Sequence, residues 1–225
     1  MKITFKDKLP KGFKKAVIKP EELKGINLRK FILLVRKQVS EAKKDKQKKL
    51  AILLRDLPNC STLSVEQGEM GEIIAREILL ADYEFTKYLS KPKEGWDFLT
   101  EVALVGPASR EASQDFKKGI ERGRVVAGEV NACRELSNTP GGEMTPLHLA
   151  EAARQASRGT PIKVTVMGRK EMEKEGMGAV LGVAKGSPAE PQFIVMEYWG
   201  AGGPTSPSFA GPTKTIGLSS WLAKA

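Results

Sequence analysis

Apolar positions along this chain switch between a period of two and a period of three to four, and the switches mark an alternation of strands and helices. "KITF" (2–5) and "KAVIKP" (15–20) are short stretches that predict strands. Over 27–45, Leu28, Ile32, Val35 and Val39 recur at spacings of three and four, the signature of one helix face. "KLAILLRDL" (49–57) is a compact apolar run closed by Pro58-Asn59, which predicts a buried strand. Ser64 and Gln67 have the spacing of a capping pair, and Met70, Ile73, Ile74, Ile78, Ala81 and Phe85 then mark a second helical face. "TEVALVGP" (100–107) predicts another strand. Strands alternating with helices in this way predict an α/β domain with a mixed sheet.

A long helix is predicted over 111–137, with Phe116, Ile120, Ala127 and Val130 on one side. Asn138-Thr139-Pro140-Gly141-Gly142 stops it, because Pro140 cannot continue the helix and the glycines admit positive φ. Thr145 caps the next helix, which has Pro146 at its first position and runs to about residue 157. "PIKVTVMG" (161–168) predicts a strand, "RKEMEKEG" a short helix ended by Gly176, and "QFIVMEYWG" (192–200) a further strand. A second α/β unit therefore opens after Gly142. "AGGPTSPSFAGPTKTIGLSSWLAKA" (201–225) shows neither period and predicts irregular chain. The expected organisation is an N-terminal mixed-sheet α/β domain over 1–108, a linker helix over 109–139, an incomplete second α/β domain over 140–200, and a tail over 201–225.

Charge is unevenly spread. Residues 1–50 hold seventeen Lys and Arg against five Asp and Glu, a net +12, whereas the rest holds 20 basic and 22 acidic residues. A basic end of this kind is either a nucleic-acid footprint or a solvated lysine-rich face. "EAKKDKQKKL" lacks arginine and interleaved aromatics, so the solvated face is the stronger reading. No apolar run is long enough to span a membrane, and the basic start has no apolar segment behind it, so neither a membrane partner nor a secretory leader is expected. Cys60 and Cys133 form no C-x-x-C and are expected to be buried thiols of a cytoplasmic protein.

Candidate chemistry is sparse. The single histidine, His148, falls in the first turn of a predicted helix and reads as a solvated side chain, and no H-E-x-x-H or paired-cysteine set exists. Gly176, Gly178 and Gly182 are spaced G-x-G-x-x-x-G after a charged helix rather than a strand, which predicts a tight helix-to-helix turn and not a phosphate cradle. Ser187 in "GSPAEP" has no evident base partner and reads as a turn residue.

Three ordered stretches carry a resemblance: "LLADYEFTKYLSKPK", "VNACRELSNTPGGEMTPLHLAEAA" and "EMEKEGMGAVLGVAKGSPAEPQFIVMEYWG". Together they resemble the leucyl aminopeptidases, or cytosol aminopeptidases, continuously from about Leu79 to Gly200. The resemblance implies an N-terminal α/β domain joined by a long helix to a catalytic α/β domain. That catalytic domain holds two divalent metal ions (Mn or Zn), bound by a lysine and several Asp and Glu, with a second lysine and an arginine assisting. It further implies release of N-terminal amino acids from peptide substrates, homohexameric assembly and a cytoplasmic setting. Two metals in this role lower the pKa of a bound water and polarise the carbonyl it attacks.

The family continues past this point into V-G-K-G-[IV]-T-F-D-x-G-G, where its first metal ligands lie. Here the chain reads "LAKA". Lys224 stands roughly where the family lysine falls, but its neighbours differ, so no catalytic, cofactor-binding or metal-binding residue is carried over. If V-G-K-G is encoded GTT-GGC-AAA-GGC, reading one base later gives Leu-Ala-Lys-Ala, so the tail is expected to be out of frame, with the ligand-bearing sequence encoded just beyond the stop. The chain alone is accordingly expected to be inactive. The alternative is a nucleic-acid-binding or subunit-docking module using the basic N-terminal domain.

Overall fold

The computed structural model describes residues 1–57, 60–106, 110–200 and 216–217. They form two compact units, Met1–Glu135 and Leu136–Ala225.

The first unit begins with strands β1 (Lys2–Lys6) and β2 (Lys14–Lys15). Helices α1 (Pro20–Leu23) and α2 (Leu28–Lys44), strand β3 (Lys49–Leu53), and helices α3 (Cys60–Leu63) and α4 (Gln67–Asp82) follow. Strand β4 (Glu101–Val105) and the 29-residue helix α5 (Arg110–Asn138) complete the series, α5 running three residues past this unit. The sheet order is β1-β4-β3-β2. The α/β class expected from the sequence stands, while the three strand pairings described here all run parallel rather than mixed.

Parallel strands covered on both faces read as continuous apolar runs, and β3 and β4 do so. Leu50, Ile52, Val102 and Leu104 point into a core filled by Phe31, Val35 and Val39 of α2, Ile73, Ile74 and Ile78 of α4, and Phe116 and Ile120 of α5. The other face carries smaller side chains, Ala51, Leu53, Ala103 and Val105, with Phe13 packed against them. Glu77 is buried within α4, where Arg36 reaches it at 2.6 Å and Arg76 at 3.0 Å. Where α4 and α5 cross, the backbones come into contact: a Cβ on Gly119 would lie 1.9 Å from the carbonyl oxygen of Gly68, and one on Gly123 2.3 Å from that of Glu72.

Several local expectations are corrected. The 15–20 stretch stays with the sheet only as far as Ala16, whose amide donates to the Ala51 carbonyl at 2.8 Å; the strand itself is Lys14–Lys15, and Pro20 opens α1. The 49–57 run leaves the sheet at Leu53 and turns through a 3-10 segment, Leu54–Asp56. Ser64 does not cap α4: its φ of 53° is left-handed, whereas an N-cap is extended, and Glu66 takes that place. The helix stops at Asp82, so Phe85 is not on its face but packs edge-on against Tyr88 with ring centroids 5.6 Å apart. Val130 is 39% exposed, while Ala127 on the line from Phe116 and Ile120 is fully buried.

In the second unit, α6 (Pro146–Ser157) packs on the antiparallel pair β5 (Ile162–Met167) and β6 (Phe193–Tyr198). Ala150, Ala153 and Ile194 form its small core, with Leu149, Val164, Val166 and Met196 around them. Between the strands lie α7 (Arg169–Lys174) and α8 (Gly178–Ala184). A two-residue strand, β7 (Ile216–Gly217), pairs antiparallel with Val195 and Met196. The expectation of an irregular tail therefore fails at those two residues. The remainder of 201–225, Lys224 included, lies outside the described residues.

Candidate functional site

Part of the segment that carried the resemblance opens the second unit. After α5, the carbonyl of Pro140 accepts the amides of Glu143 at 2.9 Å and Met144 at 2.8 Å, a tight turn before α6. Thr139 beside it is buried. Thr145 occupies the N-cap of α6 with Pro146 next to it, as expected, but its hydroxyl meets His148 Nδ1 at 2.8 Å instead of a backbone amide. His148 is exposed, which bears out its reading as a solvated side chain.

The glycine-rich stretch joins two helices. Gly176 has φ +69°, and the Met177 amide returns to the Met172 carbonyl at 2.9 Å, so α7 ends and α8 begins within a few residues. This is a turn with Met172 buried beneath it, and the strand that a phosphate cradle needs is not in front of it. Ser187 Oγ accepts the Ala189 amide at 3.2 Å, the hydrogen bond of a turn residue. Cys133 contradicts its expected burial: it is exposed on α5, because the inward line of that helix runs through buried Gly123 and Ala127 to half-buried Asn131 instead. The side chain of Cys60 lies outside the described residues.

Among the described residues no three His, Cys, Asp or Glu side chains gather as a metal site would require. They therefore do not fit the two-metal centre that the resemblance implies, and no catalytic step through metal is assigned to them. No helix among them is long and apolar enough to cross a membrane.

The basic N-terminal excess is partly engaged within the fold. Lys14 pairs with Asp45, Lys37 with Glu22 at 2.5 Å, Lys43 with Glu84 at 2.5 Å, Lys48 with Asp97 at 3.3 Å and Lys49 with Glu101 at 3.9 Å. Most of those carboxylates lie beyond residue 50, which a charge count over 1–50 misses. A cleft of about 610 Å³ opens beside Lys43, Lys44, Lys46, Glu84 and Trp96, where α2 ends. Lysines at a helix C-terminus complement its dipole, which accounts for this group without a ligand.

Asp82, at the end of α4, is buried, and that burial raises its pKa above the usual carboxylate range. The Leu99 amide donated to it at 2.9 Å and the Lys43 ammonium at 4.0 Å act in the opposite direction. A carboxyl whose folded pKa is raised contributes stability that is full below its unfolded pKa and is lost as pH rises through the folded one. Asp82→Asn keeps an oxygen for Leu99 and removes the buried charge. The variant is expected to melt above the parent at about pH 7, with the gap closing toward about pH 4; thermal unfolding at both values checks this.

Three comparisons then agree. Residues 131–212 match the model of the cytosol aminopeptidase family, catalytic domain, continuing twelve residues past Gly200, where the sequence resemblance was placed to end. A probable cytosol aminopeptidase of Roseiflexus castenholzii is 39% identical over 122 residues, covering 53% of this chain and 24% of that relative. One of Synechococcus sp. is 35% identical over 137 residues, covering 60% and 27%. Among solved structures, a tomato leucine aminopeptidase mutant superimposes with a TM-score of 0.63 at 22% identity, covering 76% of this chain and 33% of its own. The bottromycin maturation enzyme BotP gives 0.61 at 20%, covering 75% and 34%. These two show a shared fold. The chain spans about a quarter of the length of the curated relatives it matches. The sequence matches, with a fold that accords with them, support the cytosol aminopeptidase family for this chain as a partial match, with the catalytic-domain likeness over residues 131–212.

Proposed function

We propose that this chain is part of a two-metal aminopeptidase, supplying its N-terminal α/β domain over 1–108, its linker helix over 109–139 and the opening of its catalytic domain over 140–200. The observation that carries this reading is the catalytic-domain match over 131–212 in one chain with a parallel α/β unit. The whole enzyme releases N-terminal amino acids from peptides in the cytoplasm as a homohexamer, using two divalent ions, Mn²⁺ or Zn²⁺. A solved neighbour, BotP, is described in complex with Mn, which supports a divalent metal. The ligands that hold those ions belong to sequence other than the described residues, since these offer no cluster for them.

The purified chain is therefore expected to release no leucine from leucine amide in excess Mn²⁺ or Zn²⁺, because nothing activates the attacking water. Metal-dependent release of leucine by the chain alone, abolished by a chelator, would show that a centre is built from these residues after all.

A further inference from the structure

We infer that residues 84–98 form a strap, held closed over the C-terminal end of α2 by charge, which opens as a local unit when ionic strength rises. Its two ends are fixed. Asp82, the last residue of α4, accepts the Leu99 amide at 2.9 Å, and the Lys43 ammonium donates to the Asp82 carbonyl at 2.9 Å. Leu99 is buried in the core of the first unit. The ends of the segment are thus held together, as in a compact surface loop.

What lies between those ends is held differently. Among the described residues, the apolar core of this unit takes in none of 84–98. The segment carries no helix or strand, and its backbone bonds from Leu89 to Thr86 and from Gly95 to Pro92 are turns internal to it. Lysines at the end of α2 and in the residues leading into β3 tie it down. Lys43 meets Glu84 at 2.5 Å, Lys46 meets Glu94 at 3.5 Å, and Lys48 meets both the Trp96 carbonyl at 2.5 Å and Asp97 at 3.3 Å. Lys46 and Glu94 are 69% and 82% exposed, so salt reaches that pair. The cleft of about 610 Å³ lies between the two sides, with Lys43, Lys44 and Lys46 on one wall and Pro92, Glu94 and Trp96 on the other. The segment therefore bridges a gap instead of packing flat on the helix.

Salt decides between the two states. The screening length falls from about 30 Å at 0.01 M to about 3 Å at 1 M, which weakens exposed pairs and leaves apolar burial in place. A segment with few buried apolar contacts opens at lower cost than the fold around it. Raised ionic strength therefore releases 84–98 while Asp82 and Leu99 stay where they are. The strap lies wholly within the first unit, so it stands or falls independently of the peptidase reading.

Trp96, half-buried in the closed strap, reports the state directly. In the full chain carrying Trp199→Phe and Trp221→Phe it is the one remaining tryptophan. Its acrylamide quenching constant is expected to rise at least about twofold between about 20 mM and about 1 M NaCl, with far-UV circular dichroism unchanged. Lys48→Met removes two ties at once, so at low salt it should already show the high-salt value and respond little to added salt. Glu94→Lys sets like charge against Lys46 and should open the strap at low salt, and adding Lys46→Glu should close it again. Such a reversal separates the ion pair from a loss of packing. Quenching that ignores salt in the parent, a Lys48→Met variant as protected as the parent at low salt, or a rise that comes only with loss of the circular dichroism signal overturns the inference.

Discussion

Gly119→Ala is expected to destabilise the first unit by about 2–3 kcal/mol, at the upper end of what overpacking costs. The added Cβ would lie 1.9 Å from the Gly68 carbonyl oxygen and 2.8 Å from its carbon, and backbone cannot turn aside as a flexible side chain can. Gly123 and Gly71 stand in the same seam, each with a carbonyl oxygen 2.3 Å from its absent Cβ. Any relief requires α4 and α5 to separate, which pulls Phe116 and Ile120 out of the core they share with Ile74 and Ile78. The control is on the same helix. Gly128 has nothing within 4 Å of its absent Cβ, so Gly128→Ala removes only the helix penalty of glycine and is expected to stabilise by about 0.5–1 kcal/mol. Urea unfolding of the two variants should move in opposite directions. A neutral Gly119→Ala would mean that the helices do not cross at this distance.

The glycines show where reading the sequence stops. "KKGIERGRVVAGEV" gives a helix with apolar positions, and the spacing of Gly119 and Gly123 is visible, but nothing in it names Gly68 and Glu72 as their partners. Elements with a strong period were legible to within a few residues: α2, α4, α5, β5 and β6 fall where their apolar positions put them. Parallel pairing was written in the two-sided apolar runs of β3 and β4, which the expectation of a mixed sheet passed over. Helix ends were missed at α4, where Ser64 has a left-handed φ of 53° in place of an N-cap and the helix stops at Asp82, short of Phe85. The exposure of Cys133 and Val130 was missed because the buried line of α5, which starts with Phe116 and Ile120, continues through Gly123 and Ala127, too small to announce it.

The candidate site was legible in a different way. The Pro140 turn, the Thr145 N-cap position and the Gly176 reversal follow from local chemistry and fall where expected, although the Thr145 hydroxyl meets His148 rather than a backbone amide. The resemblance was carried by the order of motifs along the chain, and the match over 131–212 takes in the second stretch from Asn131 and the third. No pattern of titratable residues could have pointed to a metal centre among the described residues, since none is gathered there.

The largest expected effect is on catalysis. Two-metal hydrolysis depends on ligands held in fixed positions, and a scaffold without them lacks both the activated water and the polarised carbonyl, so turnover falls by many orders of magnitude. If the chain is the opening part of such an enzyme, completing it should recover that loss. The direct measurement is leucine release from leucine amide, with and without Mn²⁺, by residues 1–200 fused to the portion of the Roseiflexus castenholzii relative that follows its matched segment. Metal-dependent release by the fusion, and none by the chain alone, is the predicted result. A fusion that unfolds cooperatively and binds Mn²⁺ yet releases no leucine would contradict the account.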